Sequence, residues 1–212
     1  MNKLFIISRY EENLDWLKSY NFNYLIYNKG KPIEDPNIIN IENIGGNQID
    51  IFRFIYDHYE DLPDVMVFIQ AHPFDHCRKE LFDLLINNIV FTPLEYYGKF
   101  PANSWERRTE EGGYLEINNN WYIKNNNDHY NITCRYSSFD EFMNKYFNNY
   151  EHIEWIRFSP GSQYIVERMR VLHYPREFWR KLMDELNSRF STEGHIIERS
   201  LWTIFQCNLT LR

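Results

Sequence analysis

The stretch Val65-Met66-Val67-Phe68-Ile69-Gln70-Ala71-His72-Pro73-Phe74-Asp75-His76 decides how this chain is read. Five consecutive large apolar residues follow the break Leu62-Pro63-Asp64 and run into a polar segment with its own proline. That is the pattern of a strand buried on both faces, which belongs in the middle of a sheet covered by helices. Gln70 to His76 then leave the strand at its carboxyl end, the edge where open α/β sheets bind their ligands.

Working outward, the same signals alternate. Leu4-Phe5-Ile6-Ile7 is a second short buried strand, and Tyr24-Leu25-Ile26-Tyr27 a third, stopped by Asn28-Lys29-Gly30. Ile38-Ile39-Asn40-Ile41 is a weaker one. Between them, residues 11–20 carry Leu14 and Leu17 at helical spacing, and residues 49–59 place Phe52, Ile55, Tyr56 and Tyr59 on one helical face. Residues 80–87 read as a helix. The alternation predicts a mostly parallel central sheet flanked by helices, in a single domain. Residues 91–130 show no clear period and are expected to be an irregular excursion or a small hairpin, set against the helix and strand signals that resume near residue 138. Ser138-Phe139-Asp140-Glu141 is a capping box, Ser159-Pro160-Gly161-Ser162 a turn before the strand Gln163-Tyr164-Ile165-Val166, and Pro175 a helix opener. The last helix begins near Thr192 to His195 and buries Ile197, Leu201, Ile204 and Phe205.

An apolar fraction of 43% in 212 residues, with 18% aromatics, is enough to fill a core and excludes wholesale disorder. The net charge is -7 and no stretch gathers Lys and Arg, so nucleic acid is not an expected partner. A local arginine cluster could still bind a small anion. Three cysteines, Cys77, Cys134 and Cys207, with no CxxC pair indicate neither a disulfide framework nor a cysteine zinc site. No apolar run is long enough to be a transmembrane segment and the N-terminus lacks a signal sequence, so the expected location is cytoplasmic.

The candidate chemistry gathers at strand ends. Asp75 and His76 are potential metal ligands, with Gln70 and His72 beside them; the bland reading is a proline-started helix capped by Asp75. His72 and His76 lie four apart, as zinc ligands can, but no Glu follows His72. Ser8, Arg9 and Tyr10 leave the first strand at the same edge: Arg9 could pair with a phosphate or with a nearby Glu, and Tyr10 could stack on a base. No GxGxxG, GxxxxGK[ST] or GxSxG is present, which leaves dinucleotide-binding, P-loop and serine-hydrolase readings unsupported. Trp105-Glu106-Arg107-Arg108 is a small basic patch, and the aromatics from Trp121 to Tyr136 could stack on sugar rings. Glu198 and Trp202 share a face of an otherwise apolar helix, where a buried carboxylate must be paired or functional.

Taken together, the strings Ser8-Arg9-Tyr10-Glu11-Glu12-Asn13-Leu14-Asp15-Trp16-Leu17, Tyr27-Asn28-Lys29-Gly30, Tyr59-Glu60-Asp61-Leu62-Pro63-Asp64, Pro73-Phe74-Asp75-His76 and Ile197-Glu198-Arg199 through Trp202-Thr203-Ile204-Phe205 resemble a family of uncharacterised glycosyltransferase-like domains of the GT-A type. The resemblance runs through nearly the whole chain except its middle. It implies a GT-A-like α/β fold and transfer of a sugar from a nucleotide-diphosphate donor to a polysaccharide or glycoprotein glycan. It also implies a divalent metal, Mn²⁺ or Mg²⁺, although the DxD motif that usually holds it is absent and Gln70 to His76 stand in its place. On that footing Ser8, Arg9, Tyr10, Gln70 and His72 line the donor pocket and Asp75 and His76 face the metal and diphosphate. Gln163 and Trp202 border the acceptor, and Glu198, near the start of a late helix, is the base. The alternatives are a non-catalytic nucleotide- or glycan-binding module and a metal-dependent hydrolase using His72, Asp75 and His76.

Overall fold

Burial on both faces is what places Val65–Gln70 at the centre. In the computed structural model this strand (β4) lies between β1 (Lys3–Arg9) and a late strand, with alternate side chains feeding two separate cores. The structure describes residues 1–95, 104–110, 113–130, 133–186 and 192–212, with residues 126–130 described for the backbone only.

The remaining elements are β2 (Tyr24–Asn28), β3 (Ile38–Asn40), α1 (Gln48–Asp57), α2 (Lys79–Leu85), β5 (Thr92–Pro93), β6 (Glu106–Arg108), β7 (Tyr114–Ile117), α3 (Trp121–Tyr130), α4 (Phe139–Tyr146), β8 (Trp155–Arg157), β9 (Tyr164–Glu167), α5 (Arg168–Leu172), α6 (Arg176–Asp184) and α7 (Glu193–Phe205). Six strands form one sheet in the order β3-β2-β1-β4-β9-β5. The first four are parallel, and β9 runs antiparallel to both β4 and β5. The fold is a mixed α/β domain with a mostly parallel sheet flanked by helices. The chain builds outward from β1 to β3 and then returns to lay β4 on the other side of β1. The β1/β4 seam is therefore a topological switch point, and the crevice outside it is the favoured ligand position.

Met66 and Phe68 of β4 join Ile6 and Tyr27 in the core under α1, α6 and α7, while Val65, Val67 and Ile69 join Phe5, Ile7 and Phe82 under α2. Burial of this many large side chains, at roughly 1.5–3 kcal/mol each, dominates the stabilisation. Pro93 sits in the edge strand β5, where a missing N–H costs no ladder bond.

Three local expectations change. Residues 11–20 form only a 3-10 turn, Asp15–Ser19, because the Asn13 side chain accepts the Asp15 N–H (2.5 Å) and competes with helix formation. The capping box at Ser138 is half as drawn: Ser138 Oγ accepts the Glu141 N–H (3.0 Å), but the Glu141 carboxylate turns to the Ser137 N–H (2.7 Å). The middle segment, among its described residues, takes the small-hairpin alternative and extends it. It supplies the β6–β7 hairpin, which pairs with β8 into a second, three-stranded sheet, and the helix α3.

That second sheet is tied to the main body by a buried bidentate ion pair. Arg199 Nε and Nη2 of α7 donate to the two carboxylate oxygens of Glu116 in β7, at 2.8 and 2.9 Å, and the guanidinium stacks 3.9 Å from the centre of the Tyr122 ring. Removing one partner of such a pair leaves a buried charge. Glu116→Gln should therefore lower the unfolding free energy by about 3–5 kcal/mol in urea titrations, whereas the double change Glu116→Leu, Arg199→Met should recover most of it.

Candidate functional site

Ser8 and Gln70 are register partners across the β1/β4 seam, so the two strands deliver their last side chains side by side at the carboxyl edge. Four further segments close over them. The Gly45-Gly46-Asn47 turn leads into α1, and Ser8 Oγ donates to the Asn47 carbonyl (3.4 Å). Asn47 Nδ2 in turn donates to the carbonyl of Gly161. The Gly161 N–H donates to Glu198 Oε1 of α7 at 2.7 Å. His76 packs on the same glycine: a Cβ there would come within 2.6 Å of the imidazole Cδ2 and 3.1 Å of Gln70 Oε1.

Ser8, Asn47, Gln70, His76, Gly161 and Glu198 thus meet in one crevice. Glu198 keeps only 15% of its side-chain surface exposed. Burial pushes its carboxyl above the usual range, against the opposing pull of Arg199, the Gly161 N–H and His76. Glu198 is the sixth residue of α7, not a first-turn residue, so the helix terminus contributes little to that balance.

Arg9 and Tyr10 stand at the mouth. The expected ion pair from Arg9 to a neighbouring Glu does not form. Arg9 Nε donates to the main-chain carbonyl of Glu12 (2.9 Å), and its Nη1 donates to the Tyr10 carbonyl (3.1 Å) and to Asn28 Oδ1 (2.6 Å). The Glu12 carboxylate instead accepts the Tyr10 N–H (2.7 Å). The three oxygens that accept hydrogen bonds from the Arg9 guanidinium are therefore all neutral. Gly30 makes this loop possible, since any Cβ there would overlap the Tyr10 carbonyl oxygen at 1.7 Å.

Beneath Ser8 lies an ion pair that the sequence did not reveal. Lys29 Nζ sits 2.9 Å from Asp50 Oδ2, with 5% and 0% of their side chains exposed, and also donates to the Gly46 carbonyl. Burial pushes Asp50 up and Lys29 down, each held back by the other's charge. The pair fixes the end of β2 to the first turn of α1.

The other expected site residues divide. His72 and Asp75 are both exposed and pair with each other (Nδ1 to Oδ1, 2.9 Å). His76 turns the opposite way, onto Gly161. Asp75 and His76 therefore do not converge as two ligands of one metal, and no group of three or more His, Cys, Asp or Glu among the described residues could hold one. The same split removes the support for a hydrolase centre built from His72, Asp75 and His76. Gln163 is fully buried, so it touches no acceptor. Its Oε1 accepts the Gln70 N–H (3.3 Å) and its Nε2 donates to the Pro73 carbonyl (3.1 Å), which sets the floor of the crevice. Trp202, one turn beyond Glu198, faces a separate cleft. Arg107 and Arg108 of the basic patch are spent on rings, 3.8 Å from the Trp155 centroid and 5.3 Å from that of Tyr114. Tyr122 and Tyr136 point into the core, so those two form no sugar platform.

The family described as "Protein of unknown function (DUF3431)" matches residues 4–210, and the chain belongs to it. Searches of curated proteins and of solved structures returned no match. No helix among the described residues is long and apolar enough to cross a membrane.

Gly161 carries φ +74°, in the left-handed region, as well as the close approach of His76. Gly161→Ala should cost about 1–3 kcal/mol in thermal or urea unfolding and should move the N–H away from Glu198.

Proposed function

We propose that this protein is a nucleotide-sugar-dependent glycosyltransferase of GT-A-like architecture, moving a sugar from a nucleoside-diphosphate donor to a polysaccharide or glycoprotein glycan. The observation that carries the reading is Glu198. A largely buried carboxylate with raised basicity stands over the carboxyl ends of β1 and β4, in the crevice where a mostly parallel sheet holds its ligand. Opposite it, at the mouth, is a guanidinium whose described partners are all neutral.

Transfer with a diphosphate leaving group needs two things from the protein. Negative charge on the leaving group must be met by fixed positive charge or N–H donors, and the acceptor hydroxyl must lose its proton. Arg9 meets the first requirement at the donor side, with Tyr10, exposed beside it, as the surface on which a base stacks. The Gly45-Gly46-Asn47 turn adds the N-terminus of α1 behind Ser8. Glu198 meets the second: burial strengthens it as a base, while Arg199 (3.6 Å) and the Gly161 N–H keep an ionised fraction available. Gln70 and His76 pack around Gly161 and hold that carboxylate in place. A divalent ion remains part of the expectation drawn from the resemblance, but no group of three or more His, Cys, Asp or Glu among the described residues fits one. No step here depends on it.

A thermal-shift panel of nucleoside diphosphates with and without Mn²⁺ tests donor binding, and stabilisation by none of them would sink the reading. In the same assay or by calorimetry, Arg9→Ala should weaken diphosphate binding by about 1.5–3 kcal/mol, the range for a hydrogen bond to a charged group. Glu198→Gln should reduce turnover at least about 10²-fold with little change in donor affinity. The acidic limb of the wild-type rate profile should fall above the ordinary glutamate value of 4.5, because the base must be ionised and burial raises its pKa. That limb should be missing from the residual activity of Glu198→Gln.

A further inference from the structure

A second concavity, a cleft of about 620 Å³, opens between α2, β5, β7 and α7. Leu81 and Leu85 of α2, Leu115 of β7 and Trp202 of α7 make its walls. Trp202 is already engaged, with the Arg157 guanidinium 4.7 Å from its ring centre and the Phe91 ring centre at 5.0 Å. The walls that remain are aliphatic. Large apolar side chains also stay exposed along the segment that joins α2 to β5, with Leu84 at 69%, Ile89 at 47% and Val90 at 58%.

The polar end carries no spare charge. Among the described residues that line the cleft, the charged ones are Arg157 and Glu95, and they pair with each other through Nη2 and Oε1. The second oxygen of Glu95 accepts the Tyr114 N–H (3.1 Å). An ionised ligand would have to break this pair or leave its own charge unmatched against apolar walls, and both are unfavourable. A hydrogen-bond donor is left over. Thr109 Oγ1 accepts from the Gly113 N–H (2.9 Å) and from Arg157 Nη1 (3.2 Å), and its own hydroxyl hydrogen goes to no described residue. A hydroxyl that already accepts twice has only its hydrogen left to offer.

An apolar cleft of this size, with a few polar groups gathered at one end, has the anatomy of a small-molecule site. We propose that this cleft binds an uncharged amphiphile, an aliphatic chain lying along Leu81, Leu85 and Leu115 and ending in a neutral oxygen that accepts the Thr109 O–H. A flexible chain suits these walls better than a flat ring, because the tryptophan that would stack a ring is already occupied. The inference does not depend on glycosyl transfer.

Isothermal titration below the micelle-forming concentration tests it with octyl glucoside, hexyl glucoside, octanesulfonate and octyltrimethylammonium. Burial pushes the Glu95 carboxyl up to about 7, so titrations at about pH 8 keep the Arg157 pair complete. Octyl glucoside should bind about tenfold more tightly than hexyl glucoside, at roughly fourfold per methylene buried. Both charged probes, with the same eight-carbon chain, should bind at least about tenfold more weakly than octyl glucoside. Thr109→Val keeps the shape, removes the donor and should weaken octyl glucoside by about two- to tenfold. Leu85→Trp fills the cleft and should abolish binding, with circular dichroism melts confirming that it is folded. Glu95→Gln leaves Arg157 without its carboxylate and should bind octanesulfonate more tightly than the wild type does, a gain that a damaged fold cannot produce. Charged and neutral probes binding the wild type equally, no gain from hexyl to octyl, or full binding by folded Leu85→Trp would overturn the proposal.

Discussion

The left-handed turn at Gly161 and Ser162 is the constraint around which the ligand edge is built. It reverses the chain so that β9 enters antiparallel to β4, and in doing so presents one main-chain N–H and one carbonyl at the end of the β1/β4 seam. The N–H meets Glu198 and the carbonyl meets Asn47, while the bare Cα lets His76 and Gln70 close in. Four segments far apart in the chain are positioned by one residue that has no side chain. A left-handed conformation is readily occupied only by glycine, so the requirement is stereochemical before it is functional.

Charge is distributed on this acidic chain by a simple division. Arginines that hold elements together are stacked on rings and matched to carboxylates: Arg199 to Glu116 across α7 and β7, Arg157 to Glu95 across β8 and the second residue after β5. Lys29 and Asp50 do the same for β2 and α1. Such pairs contribute little net stability over apolar residues of the same shape, but the loss of one partner is costly, so they fix which segments meet. Arg176, held by the Tyr56 carbonyl and ring, departs from this pattern, and so does Arg9. Its partners are carbonyl and amide oxygens, which orient the guanidinium without neutralising it, and that is the condition under which an anion gains from arriving.

The crevice and the second cleft share α7 but differ in kind. The crevice brings together residues from strand ends, turns and α7. The cleft is walled by leucines and a tryptophan with its charges confined to one end. Glu198 and Glu95 are both carboxylates lifted above their ordinary range by burial, and each is opposed by a guanidinium and a main-chain N–H: Arg199 and Gly161 for one, Arg157 and Tyr114 for the other.

The strands β1 to β4 and β9, the mostly parallel sense of the sheet and the edge to which Ser8, Arg9, Gln70 and His72 belong were legible in the sequence, because burial on both faces writes itself as an uninterrupted apolar run. The turn Ser159-Pro160-Gly161-Ser162 was legible too, from its punctuation. What residues stand across from one another was not. Sequence spacing set Asp75 beside His76, but a 3-10 turn sends one to His72 and the other to Gly161. The resemblance set Gln163 at the acceptor, but its place just before β9 buries it. Glu95, Glu116, Asp50 and Asn47 carried no motif at all, because their partners lie tens of residues away and an ion pair leaves no periodicity along the chain. Local patterns record solvent on one side of a residue and neighbours on the other. Which neighbour it is depends on long-range packing, and only the tertiary structure decided that.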